Sequence, residues 1–405
     1  MTRTTQSLPF SRWWLVIVGA MIMGIAGTFQ FLWSSIRGPI GVQIGASEAT
    51  LGTLFTVLIA AQTLSQFPAG WFRDRFGPRL PLFSSGILFA GGYIGLTLAS
   101  SFVHAVIAVI FGGIGSGIAY TVAVNTPVKW FDEHRGIATG IVAMSYSGLS
   151  FVLIPVVRGN IVGSFDSTLF IFGGIGAITA LVGAIILRDP TSTTQTTTTD
   201  TAEPNTEVSY TWRETIQTWQ FWLLYGIFII VNGVGLMLIG KVISFADTVG
   251  LSPATATTAA SIIALAEGGG VVIVGAISDR FDPIQTIGTA LLLSATGIAI
   301  AVFAGQSNLG IVFIGGVALA SFFRSPVFAV FPGLIGEYYG PSHSSENYAA
   351  LYTGKLWGSI FGGIVTSTLV ITLGWSQTFI LGAGLLGIAG VAMFFIKPVA
   401  DTDGS

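Results

Sequence analysis

Apolar residues run through this chain in long blocks separated by short polar punctuation. A helix needs about twenty predominantly apolar residues to cross ~30 Å of hydrocarbon. Twelve runs meet that length, near residues 12 to 36, 49 to 71, 79 to 100, 103 to 127, 136 to 158, 167 to 188, 219 to 243, 253 to 277, 283 to 304, 309 to 333, 345 to 371 and 375 to 396. The first run continues without a small-residue cleavage pattern, so it reads as a membrane helix and not as a cleaved signal peptide. Between the sixth and seventh runs lies RDPTSTTQTTTTDTAEPNTEVSYTWRET, polar and Thr-rich, which reads as a solvated cytoplasmic linker. It divides the chain into residues 1–188, a linker at 189–218 and residues 219–405. The expected fold is an all-α integral membrane protein with twelve transmembrane helices in two pseudo-symmetric six-helix halves.

Composition agrees and narrows the chemistry. Of 405 residues, 52% are hydrophobic and 8% charged, against about 25% charged in soluble domains. The formal net charge of −2 gives no polyanion-binding signature and argues against nucleic acid as a partner. Cysteine is absent, which excludes disulfides and thiolate chemistry. The histidines, His104, His134 and His343, lie too far apart in sequence to suggest a metal cluster, and no cofactor is expected. No nucleophile, base and orienting group assemble in a legible motif, so an enzyme is not expected. Glycine-rich stretches such as FGGIGSG and GSIFGG lack the lysine and spacing of a phosphate loop and read as faces that let helices approach closely.

Lysine and arginine set the orientation. With both termini cytoplasmic, inner segments hold eleven of the sixteen: Arg3, Arg12, Arg73, Arg75, Arg79, Lys129, Arg135, Arg188, Arg213, Arg280 and Lys397. Arg37, Arg158 and Lys241 fall at outer ends, which leaves Arg324 and Lys355 at membrane depth. The halves share a loop pattern, GWFRDRFGPR at 70 to 79 and GAISDRFDP at 275 to 283. Asp74 and Asp279 stand 205 positions apart (279 − 74), close to the offset of an internal repeat. Asp74, Arg75 and Arg79, with Asp279 and Arg280, are expected to form a cytoplasmic gating loop whose contacts make and break as the halves rock. The plainer alternative is a positive-inside anchor.

An ionisable group near the bilayer centre costs roughly 2.5 to 3.5 kcal/mol on insertion scales, so such residues mark function by default. Lys355 lies ten residues into the eleventh run, about 15 Å at 1.5 Å per residue. Arg324 on the tenth run and Glu267 on the eighth fall within about two helical turns of the same level. Two bases and one acid form a net cationic pocket, suited to a small organic anion. Glu267 is expected to tune the charge or carry a co-transported proton. A structural alternative pairs Glu267 with one base to fix helix packing, and even that leaves a cation over. Aromatic residues on neighbouring runs could wall the cavity: Phe31, Trp33, Tyr120, Tyr146, Phe328, Tyr352 and Trp357, with Tyr352 one turn from Lys355 on the same helical face.

Twelve helices, the central linker and the GxxxDRxG pattern resemble the major facilitator superfamily over essentially the whole chain. The segments RDRFGPRLPL, NTPVKWFDEHRGIATG and ENYAALYTGKLWGSIFGG are similar to the oxalate/formate antiporter family, a relative of the monocarboxylate transporters. That resemblance implies substrate contact by Lys355, Tyr120 and Tyr146. The chain departs from the family at Val271, where an arginine is usual four residues after the position of Glu267, and Arg324 stands where the family usually has an aromatic residue. The combined expectation is a monomeric secondary transporter of a small carboxylate in the plasma or inner membrane, by proton coupling or anion exchange. An exporter of cationic or drug-like compounds would call for an excess of acids in the pocket, and a ligand sensor would call for an added signalling domain.

Overall fold

The computed structural model of the chain describes residues 11–126, 130–131, 135–189, 209–278, 281–340, 343–397 and 399. Twelve helices among them are long and apolar enough to cross a membrane. They are α1 (Trp13–Phe31), α2 (Glu48–Phe76), α3 (Arg79–Thr97), α4 (Phe102–Asn125), α5 (Ile137–Asn160), α6 (Gly163–Ile186), α7 (Trp219–Thr248), α8 (Pro253–Val274), α9 (Pro283–Gln306), α10 (Gly310–Tyr339), α11 (Glu346–Leu373) and α12 (Trp375–Met393). Large apolar side chains such as Phe67 and Ile311 point outward, 85% and 89% exposed, as a lipid-facing surface requires.

The helix starts carry ordinary polar caps. Ser47 accepts from the Thr50 amide at α2, Ser101 from the His104 amide at α4, and Asp282 from the Gln285 amide at α9, where Pro283 occupies the first turn. Gly45 closes the segment before α2 with φ of 63°, and Gly374, with φ of 89°, turns the chain from α11 into α12.

Helix pairing follows the same scheme in each half. In the first half α1 packs on α5, α2 on α4 and α3 on α6; in the second α7 packs on α11, α8 on α10 and α9 on α12. Adding six to each label of the first set gives the second, the signature of a repeated unit. The halves meet through α2 against α11 and α5 against α8, contacts that the same relation exchanges.

Two details go beyond the sequence reading. Near the end of the expected linker, Trp212–Thr215 forms a short helix with a Thr211/Glu214 capping box. The Tyr210 amide donates to the Tyr339 carbonyl at 2.8 Å and Asn347 Nδ2 to the Tyr210 carbonyl at 2.9 Å, which anchors this segment on α10 and α11. The first apolar run also does not stop at residue 36: after a break at Leu32, a second helix, Trp33–Ile44, continues it.

Candidate functional site

Three helices are interrupted at the level where the sequence places its deep charges. Helix α1 breaks at Leu32, next to Phe31. Helix α10 breaks at Ser325 and Pro326, immediately after Arg324, because the ring of Pro326 cannot donate to the preceding turn. Helix α11 breaks at Thr353, two residues before Lys355, and carries a π turn at Phe361–Val365. Such irregularities re-aim side chains and cluster at functional sites.

These breaks surround a cavity of about 220 Å³ between the halves, and Phe31, Tyr120, Tyr146, Glu267, Arg324, Phe328, Tyr352 and Lys355 all line it. The Arg324 guanidinium is 3% exposed, donates to the Val231 carbonyl at 3.3 Å and forms an ion pair with Glu267. Gly235 on α7 leaves the space that the guanidinium fills, since a Cβ there would overlap it. Gly270 similarly lets α8 close on Phe322 and Ser325 of α10, which brings the acid to the base. Arg324 Nε has no hydrogen-bond partner among the described residues.

Lys355 is 7% exposed and takes part in no ion pair or hydrogen bond among the described residues. Its ammonium lies 5.8 Å from the centre of the Tyr352 ring, which offers a weak cation–π contact. One buried cation is thus cancelled and one is not. An unmatched buried charge costs several kcal/mol, and an incoming anion removes that penalty.

Among the described residues, the first half supplies no charge to the cavity. Tyr146 donates to Gln30 Oε1 at 2.9 Å, and Gln62 Nε2 donates to Tyr146 Oη and Ser116 Oγ, each at 2.7 Å. The Tyr120 ring meets the Tyr146 ring edge-on at 5.4 Å. A neutral amide and phenol wall therefore faces a charged wall. Gln30, Asn232, Tyr348 and Ser147 also line the cavity and are not among the residues the sequence reading singled out. Their signal is an uncharged polar residue inside an apolar run, as in GTFQFLW and IIVNGVG.

Trp33 and Trp357 do not wall the cavity. Trp33 is buried against Phe55 with ring centres 5.6 Å apart, and Trp357 is 57% exposed. At the end of the bundle bearing Arg12 and Lys397, the organising residue is Arg73, 1% exposed. It donates to Asp74 at 2.8 Å, Asp189 at 2.6 Å and Thr126 at 3.2 Å, which ties α2 to the ends of α4 and α6 inside the first half. Arg75 lies 5.5 Å from the Trp71 ring centre, and Arg79 is exposed at the start of α3. Asp279 and Arg280 lie outside the described residues.

Arg37 and Lys241, placed by the sequence at outer ends, are buried and paired there. Both are 2% exposed and converge on Glu48, at 2.5 and 2.8 Å.

Comparison with known proteins agrees with this architecture. Over 402 residues the chain is 28% identical to the oxalate:formate antiporter of Oxalobacter formigenes, covering 98% of this chain and 94% of that one. It is 28% identical over 154 residues to a D-galactonate transporter of Escherichia coli, covering 36% and 35%. The inward-open xylose transporter of E. coli superposes with a TM-score of 0.74 at 16% identity, covering 97% of this chain and 98% of that one. The family model of the Major Facilitator Superfamily matches residues 15–245 and 229–405, and the chain belongs to that superfamily of membrane transporters.

Proposed function

We propose that this transporter moves a small organic carboxylate by alternating access, with Lys355 and Arg324 holding the carboxylate. The observation that carries the reading is Lys355: a cation without a fixed counter-charge among the described residues, facing the cavity beside a second base already matched to Glu267. Lys355 acts as a compact point charge, whereas Arg324 presents a planar fork, partly engaged by Glu267 and partly free at Nε. The amide and phenol wall would take the rest of the cargo by neutral hydrogen bonds. Two similar proteins carry names of carboxylate transporters, for oxalate and formate and for D-galactonate, which supports the same substrate class. We further propose that the termini are cytoplasmic, that the chain works as a monomer, and that residues 189–218 join the two halves.

The test is uptake of labelled mono- and dicarboxylates into proteoliposomes. Lys355→Gln should lower uptake at least a hundredfold while leaving detergent-solubilised yield and helical content unchanged. Undiminished uptake by the variant removes Lys355 from the site. In parallel, a carboxylate that binds should raise the melting temperature of the parent and leave that of Lys355→Gln unmoved, because a ligand stabilises only the state it binds.

A further inference from the structure

We propose that Glu48, clasped between Arg37 and Lys241, is a releasable bolt that holds the two halves together at the end of the bundle away from Arg73. Arg37 sits on Trp33–Ile44, Glu48 opens α2 and Lys241 lies on α7, so one carboxylate is shared by a base from each half. Hydroxyls complete the cluster: Lys241 donates to Ser367 Oγ at 2.6 Å, Ser367 Oγ to Glu48 at 3.3 Å, and Arg37 to Ser244 Oγ at 3.2 Å.

Other bonds between the halves gather on the same side of the cavity. Thr56 Oγ1 donates to the Ser359 carbonyl at 3.0 Å and accepts from the Ile364 amide at 3.2 Å, and Arg158 donates to Thr257 at 3.2 Å. Ser367 stands twelve residues beyond Lys355 on α11, roughly 18 Å away. The bolt is therefore a separate structure from the cavity, and it does not depend on which cargo the cavity takes.

Buried ion pairs add little net stability compared with apolar packing, because desolvation cancels much of the attraction. That property suits a contact that must part. When the halves separate, water hydrates Glu48 and Lys241 and offsets the lost bond, whereas an apolar seam would resist wetting. The partition of partners is uneven. Opening breaks Glu48–Lys241, Glu48–Ser367 and Arg37–Ser244, while Arg37–Glu48 stays within the first half and Lys241–Ser367 within the second. Removing the charge of Lys241 leaves Glu48 still paired with Arg37, so this variant unfastens the bolt without stranding an acid.

The absence of cysteine allows site-directed spin labels to be read without background. Cysteines at Val42 and Ser307, both exposed at the bolted end, report separation between the halves there; cysteines at Leu80 and Phe281, also exposed, report the opposite end. In lipid nanodiscs free of carboxylate, Lys241→Gln should raise the population of long Val42–Ser307 distances at least fivefold and shorten Leu80–Phe281 distances. Lys241→Arg should retain the parental distribution. The double variant Ser244→Ala, Ser367→Ala keeps every charge and should shift both pairs in the same directions by a smaller amount, which serves if Lys241→Gln does not fold. A parental distribution in Lys241→Gln overturns the proposal, as does lengthening of both label pairs, which would report general loosening. Because no cargo is present, a failure here leaves the carboxylate reading standing, and the reverse holds for the uptake assay.

Discussion

At the scale of single residues, the cavity is a problem in charge matching. Arg324 and Glu267 cancel, and Lys355 does not. Glu267→Gln would release the guanidinium and leave two unmatched cations facing the cargo. The expected result is a shift of preference from mono- to dicarboxylates by about tenfold in relative affinity, equivalent to about 1.4 kcal/mol, measured by competition in the uptake assay. An unchanged ratio would mean that the acid serves packing alone. The sequence made Lys355, Arg324 and Glu267 legible because a charge inside an apolar run has no reason to be there other than function or a partner. It could not show which base the acid would choose, since that depends on Gly235 and Gly270, whose missing side chains set how closely α7 and α8 approach α10. Arg37 and Lys241 were legible as charges but not as a cluster: near a run's end a base reads as solvated, and only folding brings Glu48 between them.

At the scale of elements, close packing of small residues fixes where helices touch. A Cβ on Gly52 would come within 2.6 Å of the Gly363 carbonyl oxygen, and one on Gly363 within 2.6 Å of the Gly52 carbonyl, so α2 and α11 meet backbone to backbone. Gly363→Ala should therefore force α2 and α11 apart on this side of the cavity and slow transport severalfold in the uptake assay; unchanged transport would show that this contact need not close. Arg73 makes a complementary case. Arg73→Ala should cost about 1–3 kcal/mol of stability by leaving its acceptors short of a donor, read as a lower melting temperature in detergent. The twelve helices themselves were legible, because each run had to reach across the bilayer. Their breaks were less so. Pro326 signals one, and Gly354, Gly362 and Gly363 weaken α11 where it is interrupted, but glycine alone does not say whether a helix breaks; here these glycines pack against α2 and α7.

At the scale of the whole molecule, the division of labour between the halves matters most. Lys355, Arg324 and Glu267 sit on α11, α10 and α8, all in the second half, while the first half offers amides and phenols. The ionic part of the site therefore travels as one body when the halves rock. On the carboxylate reading proposed above, that body carries an uncancelled positive charge when empty and is neutral when loaded with a monoanion. The membrane voltage thus acts chiefly on the unloaded carrier, whose return would move charge through the field at about 2.3 kcal/mol per elementary charge per 100 mV for a full crossing. On the same reading, a carrier that goes back with a second anion aboard escapes that force, so exchange of one carboxylate for another would be the cycle on which voltage has the least hold.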